Sequence, residues 1–311
     1  MQGLELGKRY YEEFGRDMIA REFPLYENRI AVGLVGPGSD CLGFDDEISR
    51  DHDFGAGFCL WLTDEDYDKI GLSLARAYNS LPDEFLGIKK ANTPAYGQSR
   101  YGVKRISDFF IPLIGSADAP KCNEQWLLIP DYSLAAAVSG EVFRDDAGIF
   151  TGIRNALLYE MPEDVRLKKI SARVINMAQS GQYNFKRCIN HGEYGAAALS
   201  VSEFAKETVS LIYLLNGKYC PFYKWAIRGL SDLIEFADMK DDIEFMLTSA
   251  INEKTADTIK NKIENICSVF ASYFRENSFS HCEDDFLEPH AYEIRDKIKD
   301  SALRNLHIME G

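Results

Sequence analysis

Apolar and polar positions in the N-terminal part of the chain alternate between helix-like and strand-like patterns. Apolar residues recur at helical spacing over 4–24, where Pro24 ends the segment. The apolar, β-branched run at 30–36 predicts a buried strand, and the segments 52–62 and 101–107 predict two more. These patterns indicate a small mixed α/β domain.

Two further helices are predicted in this part of the chain. Thr63 is a candidate N-cap residue, with Asp66 three positions later, which is close to a capping box. Apolar positions at helical spacing follow until Pro82 ends the segment. The apolar segment 108–115 predicts another helix directly after the third strand.

Beyond about residue 130, long segments with helical periodicity follow one another, and no β alternation is evident. Gly181, Gly217 and Pro221 separate them. The sequence therefore predicts an α+β protein. A mixed sheet with flanking helices forms an α/β domain over 1–130, and a helical bundle domain follows over 131–311.

Composition narrows the possible partners. The 311 residues carry a net charge of −14, which repels nucleic acid and makes it an unlikely partner. The seven cysteines are odd in number and none forms a C-x-x-C pair, so we expect reduced thiols in a cytoplasm. No signal-peptide core and no membrane-spanning apolar stretch are present, and we expect a soluble protein without a membrane partner.

The most informative stretch is "GLVGPGSDCLGFDDEISRDHDFG", which contains two aspartates one residue apart, Asp51 and Asp53. Residues i and i+2 of a strand share a face, so both carboxylates point into one volume. Two neighbouring carboxylates repel each other unless a cation lies between them, and Mg²⁺ or Mn²⁺ prefers such oxygen ligands. The acidic residues 45–47 favour a solvated loop over a role in that metal site.

A glycine-rich turn precedes the aspartates. Gly36 and Gly38 allow close approach of the backbone to a phosphate, and the Ser39 hydroxyl can bind it. If Asp40 or Cys41 begins a helix, its N-terminus adds a field that favours anions. A phosphate cradle next to a divalent-metal pair is typical of phosphoryl or nucleotidyl transfer.

Apolar residues followed by Gly38-Ser39, a spacer, and Asp51-x-Asp53 resemble the signature of the DNA polymerase beta-like nucleotidyltransferase superfamily. The whole string resembles an uncharacterised bacterial branch with a helical C-terminal domain, and the stretches 178–188 and 219–230 are similar to that branch. The resemblance implies a nucleotidyltransferase-type sheet, Asp51 and Asp53 as metal ligands, and a nucleoside triphosphate, ATP by preference, as substrate.

The sequence departs from that superfamily at the third carboxylate. Active members carry it on a later strand, where it often acts as the general base. The segment 101–107 holds Lys104 and Arg105, and Asp108 is the first acid after them, at the start of the next helix. Asp108 is therefore the candidate for the third catalytic carboxylate, after Asp51 and Asp53.

Several basic residues can supply the positive charge that a triphosphate requires. Arg50 can neutralise the neighbouring carboxylates or contact a phosphate. Lys186 lies in the helical half, and Lys224 and Arg228 are i and i+4 in "YKWAIR", where they can present cations to a cleft. For the three residues of the helical half, the alternative is a basic face exposed to solvent.

Three functions follow from these residues. The first is transfer of a nucleoside monophosphate to a hydroxyl acceptor on a small molecule, a protein or an RNA. The second is a catalytically inactive nucleotide-binding or regulatory protein, which the missing third carboxylate supports. The third is a partner module of a toxin–antitoxin pair.

Overall fold

The computed structural model describes residues 1–48, 54–91 and 100–311, which form two compact units. The first unit comprises Met1–Pro120 and Tyr132–Glu160, and the second comprises Lys121–Asp131 and Met161–Gly311. Residues 132–160, which the sequence-based division assigns to the helical domain, thus belong to the first unit.

The first unit combines a four-stranded sheet with flanking helices. In chain order its elements are α1 (Gly3–Tyr10), a π-helix (Tyr11–Gly15), α2 (Arg16–Glu22), a 3-10 turn (Glu27–Arg29), β1 (Ala31–Val35), α3 (Ser39–Leu42), β2 (Cys59–Leu62), α4 (Asp64–Asn79), β3 (Glu84–Phe85), β4 (Ile88–Lys89), β5 (Gly102–Arg105) and α5 (Ile106–Ile114). The chain then forms α6 (Asn123–Leu128), which belongs to the second unit. It returns to the first unit within α7 (Asp131–Val138), and β6 (Gly140–Arg144) and α8 (Ile149–Tyr159) complete that unit.

The sheet is mixed, with the strand order β5-β2-β1-β6. β1 is antiparallel to β2, with Gly33 opposite Cys59, and β2 is parallel to β5. All residues of β1 and β2 are buried, which agrees with the apolar runs that predict these strands. The second predicted strand is shorter than expected, since only Cys59–Leu62 of the predicted 52–62 belongs to β2.

The expectation that no strand lies beyond residue 130 is wrong. β6 pairs antiparallel with β1 at the sheet edge, and a register shift occurs between Val32 and Gly33. All five residues of β6 are half-buried, so neither face carries the alternation of apolar and polar positions by which a strand is recognised in a sequence.

The second unit is helical throughout. Its further elements are α9 (Glu163–Met177), a π-helix (Ala178–Phe185), α10 (Lys186–Asn190), α11 (Tyr194–Leu215), α12 (Tyr223–Ala226), two 3-10 turns (Arg228–Asp232 and Ala237–Met239), α13 (Lys240–Thr248), α14 (Glu253–Glu276), α15 (Leu287–Asp296) and α16 (Ser301–Asn305). The predicted α+β class, a mixed sheet with flanking helices followed by an all-helical region, is confirmed.

The described helices were compared with the length and apolar character of a membrane-spanning helix. Within the described ranges, none of them combines the length and the apolar character that crossing a bilayer requires.

Candidate functional site

The Gly-Pro-Gly-Ser turn connects the end of β1 to α3. Gly36 has a φ angle of +143°, a conformation that L side chains rarely adopt, so glycine is required at this position. The Gly36 N–H donates to the Ser139 carbonyl at 3.3 Å, and its own carbonyl accepts from the Gly38 N–H at 3.0 Å. Ser39 then begins α3, a single helical turn that ends at Gly43 in the left-handed conformation. The condition set by the sequence, a helix that begins at Asp40 or Cys41, is met one residue earlier, at Ser39.

An ion pair between the buried Asp40 and the half-buried Arg100 lies next to this turn. Arg100 Nη2 is 2.6 Å from Asp40 Oδ1, and the same oxygen accepts from the Cys41 N–H at 2.8 Å. The Tyr101 hydroxyl donates to Asp40 Oδ2 at 3.4 Å. Asp40 itself is only 4% exposed. The first turn of α3 therefore already holds an anion, and Arg100 neutralises it, which corrects the expectation that this terminus is open to an external anion.

Gly38 is required by the space that this ion pair occupies. A Cβ built on Gly38 would overlap the guanidinium of Arg100 and the carboxylate of Asp40. Sequence reasoning assigned Gly38 to the approach of a phosphate and missed Asp40 and Arg100. No local signal connects them, since 60 residues separate the partners along the chain.

Electrostatics around the turn follow from burial and from this pair. Burial disfavours the charged form of Arg100, but the Asp40 carboxylate, together with Tyr101 and Cys41, outweighs it and raises the pKa of Arg100. Burial, reinforced by Asp40, raises the pKa of the Cys41 thiol well above its usual value, and the pKa of Tyr101 rises for the same reasons. Cys41 and Tyr101 therefore stay protonated and neutral at physiological pH.

Ser39 keeps its hydroxyl available. Its backbone carbonyl accepts from the Phe44 N–H at 2.7 Å, and its side chain is partly exposed. In the described part of the chain, no residue forms a hydrogen bond with the Ser39 hydroxyl. This group can still bind a ligand.

Asp45 differs from its acidic neighbours. Its Oδ2 accepts from the Gly3 N–H at 2.7 Å, at the start of α1. Its Oδ1 is buried and finds no hydrogen-bond partner among the residues that the structure describes. Asp46 and Glu47 are exposed, in agreement with the predicted loop, whereas Asp45 is half-buried.

Arg50, Asp51 and Asp53 lie outside the described residues, but both flanks of that segment are described. Phe54 follows Asp53 directly, and a Cβ built on Gly3 would lie 3.5 Å from its ring and 2.8 Å from the Cβ of Asp40. Asp45 binds the same residue, Gly3. The chain on each side of the aspartate pair therefore meets α1 at one point, next to the Gly-Pro-Gly-Ser turn.

The third carboxylate is not on the expected strand. β5 has the sequence Gly-Val-Lys-Arg and holds no acid. Asp108 lies in the first turn of α5, where it is exposed. Arg105, at the end of β5, binds Asp68 at 2.6 Å. A catalytic role for Asp108 stays a prediction.

Three basic residues of the helical half are predicted to bind a triphosphate, and all three are exposed: Lys186, Lys224 and Arg228. Lys186 begins α10. Lys224 and Arg228 do not share one helix, because α12 ends at Ala226 and a 3-10 turn begins at Arg228. Both cations nevertheless lie over the Trp225 ring, at 4.9 Å and 5.9 Å from its centroid. Contact of these residues with a triphosphate stays a prediction.

The predicted metal pair, Asp51 and Asp53, lies outside the described ranges. Within residues 1–48, 54–91 and 100–311, no group of three or more His, Cys, Asp or Glu side chains is placed to hold a metal ion. Metal binding by Asp51 and Asp53 stays a prediction.

Comparison with known proteins gives two matches. A family model described as "Domain of unknown function (DUF4037)" matches residues 126–226, from within α6 to the end of α12. The chain is also similar to the crystal structure of a nucleotidyltransferase-like protein from Exiguobacterium sibiricum 255-15. That similarity has 15% identity and a TM-score of 0.35, and it covers 86% of this chain and 78% of that chain. No curated protein matches.

Proposed function

We propose that this protein is a metal-dependent nucleotidyltransferase that moves a nucleoside monophosphate from a nucleoside triphosphate, ATP by preference, to a hydroxyl acceptor. The acceptor belongs to a small molecule, a protein or an RNA. The observation that carries the proposal is the convergence of Asp45 and Phe54, which flank the aspartate pair, on Gly3 beside Asp40 of the glycine turn. This convergence supports a site where a phosphate-binding turn and two carboxylates act together.

Each residue has a separate role in the proposal. Asp51 and Asp53 hold Mg²⁺ or Mn²⁺, which neutralises phosphate charge when bound. Ser39 receives the β- and γ-phosphates with its hydroxyl as donor. Gly36 and Gly38, which the sequence assigns to the phosphate, shape the turn instead, since their N–H groups donate to the Ser139 and Gly36 carbonyls. The Asp40–Arg100 ion pair stabilises the conformation of the turn, and Gly38 leaves the space that this pair needs.

Four further basic residues are candidates for the remaining positive charge that a triphosphate requires. Arg50 precedes the aspartates, and Lys186, Lys224 and Arg228 are the basic residues of the helical half that the sequence singles out for this role. In the proposed role Arg50 binds the triphosphate and the departing pyrophosphate, and contact of the three helical residues with a triphosphate stays a prediction. Triphosphate and pyrophosphate are both polyanions that lysine and arginine stabilise.

The reaction is a displacement at the α-phosphate. The acceptor oxygen forms a bond to the α-phosphorus while the bond to the bridging oxygen of the β-phosphate breaks, and pyrophosphate leaves. The proton of the acceptor hydroxyl passes to a general base or to water. Asp108, exposed in the first turn of α5, is the candidate base.

Nucleotide binding is tested by isothermal titration of the protein with α,β-methylene-ATP and Mn²⁺. We expect saturable binding that Asp51→Asn weakens at least tenfold, because the metal loses a ligand. Glu47→Gln is the matched control, since this exposed acid lies a few residues away, and its affinity should equal that of the wild type. Equal affinity in wild type and Asp51→Asn contradicts the proposed metal site.

One observation favours a second function. Since β5 holds no acid, the fold can bind a nucleotide without a base that activates the acceptor. The protein is then a nucleotide-binding or regulatory protein without turnover. Binding of the ATP analogue together with no transfer to any acceptor in a cell extract supports this alternative.

A further inference from the structure

A groove lined by both polar and apolar side chains lies in the helical unit, far along the chain from the glycine turn. It has a volume of about 390 Å³. It lies against the end of α9, the π-helix Ala178–Phe185, α10 and α11. The residues that line it are Asn176, Gln179, Ser180, Asn184, Cys188, Ala196, Ser200, Glu203 and Met309.

The π-helix on one side of this groove packs closely against its neighbours at Gly181. A Cβ on this buried residue would overlap the ring of Phe204 and lie 2.9 Å from Ile263 Cγ2. The π-helix therefore approaches α11 and α14 more closely than any other residue would allow. π-helical turns are rare and frequently occur at functional sites.

The floor of the groove consists of two buried serines that offer only acceptors. The Ser180 hydroxyl donates to the Asn176 carbonyl at 2.6 Å, and the Ser200 hydroxyl donates to the Ser180 carbonyl. A hydroxyl has one proton and two lone pairs. Because both protons are in use, Ser180 and Ser200 can only accept hydrogen bonds from a ligand.

The walls of the groove carry three side-chain amides, those of Asn176, Gln179 and Asn184. None of these amides has a hydrogen-bond partner among the described residues. Each amide offers two donors and an acceptor. Together with the serines, they present many hydrogen-bonding groups to one small volume.

The charge at the groove disfavours an anionic ligand. Glu203 is its one charged lining residue, and this carboxylate lies 3.2 Å from the ammonium of Lys206, which lies outside the lining. A phosphate or carboxylate ligand would meet a negative group and no lining cation. A neutral ligand rich in hydroxyl groups matches both the acceptors of the floor and the amides of the walls.

We propose that this groove binds an uncharged, polyhydroxylated ring of the size of a mono- or disaccharide or a cyclitol. The ring hydroxyls donate to Ser180, Ser200 and Glu203, and they exchange hydrogen bonds with the amides. Cys188 and Met309 pack against the apolar face of the ring. This site is independent of the proposed nucleotidyltransferase activity.

The test is a titration of the whole protein, with isotope-labelled side-chain amides and methionine methyl groups, followed by nuclear magnetic resonance. The probes are glucose, maltose, N-acetylglucosamine and myo-inositol. We expect at least one of them to shift the Asn176, Gln179 and Met309 signals in a saturable way. Asn184→Ala should weaken that binding at least tenfold, whereas Asn190→Ala, an exposed amide outside the groove, should leave it unchanged.

Two results overturn the proposal. One is the absence of a saturable shift with all four probes in a protein whose circular dichroism shows it to be folded. The other is tighter binding of glucose 6-phosphate than of glucose, since an anion should be disfavoured beside Glu203. Neither result affects the nucleotidyltransferase proposal.

Discussion

At the residue scale, the ion pair between Asp40 and Arg100 organises the glycine turn. Asp40 is buried, and its carboxylate receives hydrogen bonds from Arg100, Cys41 and Tyr101. A buried charge is tolerated only when it is paired and hydrogen-bonded. The two glycines of the turn therefore have different reasons to be glycine: backbone conformation at Gly36, and room for the pair at Gly38.

Gly38→Ala should destabilise the protein by about 1–3 kcal/mol, because the new methyl group displaces the guanidinium of Arg100 or the carboxylate of Asp40. The matched control is Gly152→Ala in α8, where a Cβ meets nothing within 4 Å. That variant should be stabilised by about 0.5–1 kcal/mol, since alanine favours a helix. Urea denaturation measures both, and a Gly38→Ala variant as stable as the wild type disproves the crowding.

Arg100→Gln should lower the free energy of unfolding by about 3 kcal/mol, because it leaves the Asp40 carboxylate buried without its counter-charge. The double variant Asp40→Asn with Arg100→Gln removes both charges, so it should recover part of that loss. Thermal unfolding of the three proteins checks this. If the double variant is less stable than Arg100→Gln alone, the two residues do not act as a pair.

Sequence reasoning reached some of these residues and not others. The turn, the flexibility required at Gly36 and the helix that follows are local properties, and all three were predictable. The pairing of Asp40 with Arg100 is a tertiary contact between distant segments, for which one sequence carries no periodic signal. Asp45 was expected in a solvated loop, because its contact with the Gly3 amide depends on how α1 packs.

At the element scale, local capping signals predicted boundaries well. The Thr63 side chain accepts from the Asp66 N–H at 3.2 Å, and α4 begins at the next residue, as expected. Elements without such signals were missed or misjudged. The half-buried β6 lacks an alternation of apolar and polar residues. The helix breaks between Lys224 and Arg228, where the sequence contains no proline or glycine.

Thr63→Ala should cost about 1 kcal/mol, because it removes the hydrogen bond that satisfies a free N–H in the first turn of α4. Thr63→Ser is the control, since serine keeps the hydroxyl and should retain most of the stability. Chemical denaturation followed by circular dichroism gives the comparison. Equal losses in both variants would show that the methyl group, rather than the cap, accounts for the effect.

At the scale of the whole molecule, each unit has a buried charge cluster of its own. In the helical unit, Lys169 lies 2.6 Å from Asp131, and Arg173 contacts both Asp131 and Glu207. Lys169, Asp131 and Glu207 are buried. These residues join the start of α7 to α9 and α11, within the range that the DUF4037 model matches. Helical periodicity predicted the helices but not this cluster, since Lys168 and Lys169 suggest a solvated face in the sequence.

Glu207 gives this cluster a pH dependence. Burial raises the pKa of Glu207 above its usual 4.5, although Arg173 and Lys206 oppose the rise. The folded state then binds the proton more tightly than the unfolded state. The contribution to stability is complete below about pH 4.5 and is lost as pH rises through the folded pKa.

The free energy of unfolding of the wild type, relative to Glu207→Gln, should therefore fall as pH increases from about 4.5 toward neutrality. Denaturant unfolding of both proteins across this range isolates the one group, because glutamine does not titrate. A difference that grows with pH contradicts the assigned direction and indicates that the contacts with Arg173 and Lys206 dominate.

The central claim is that Asp51 and Asp53 support nucleotidyl transfer. The most direct measurement incubates the protein with Mg²⁺ or Mn²⁺, a cell extract of candidate acceptors, and ATP labelled at either the α- or the γ-phosphate. We predict that label from the α-phosphate alone becomes attached to an acceptor, that pyrophosphate is released, and that Asp53→Asn abolishes both. Transfer of the γ-phosphate, or equal α-label transfer by wild type and Asp53→Asn, would contradict the account.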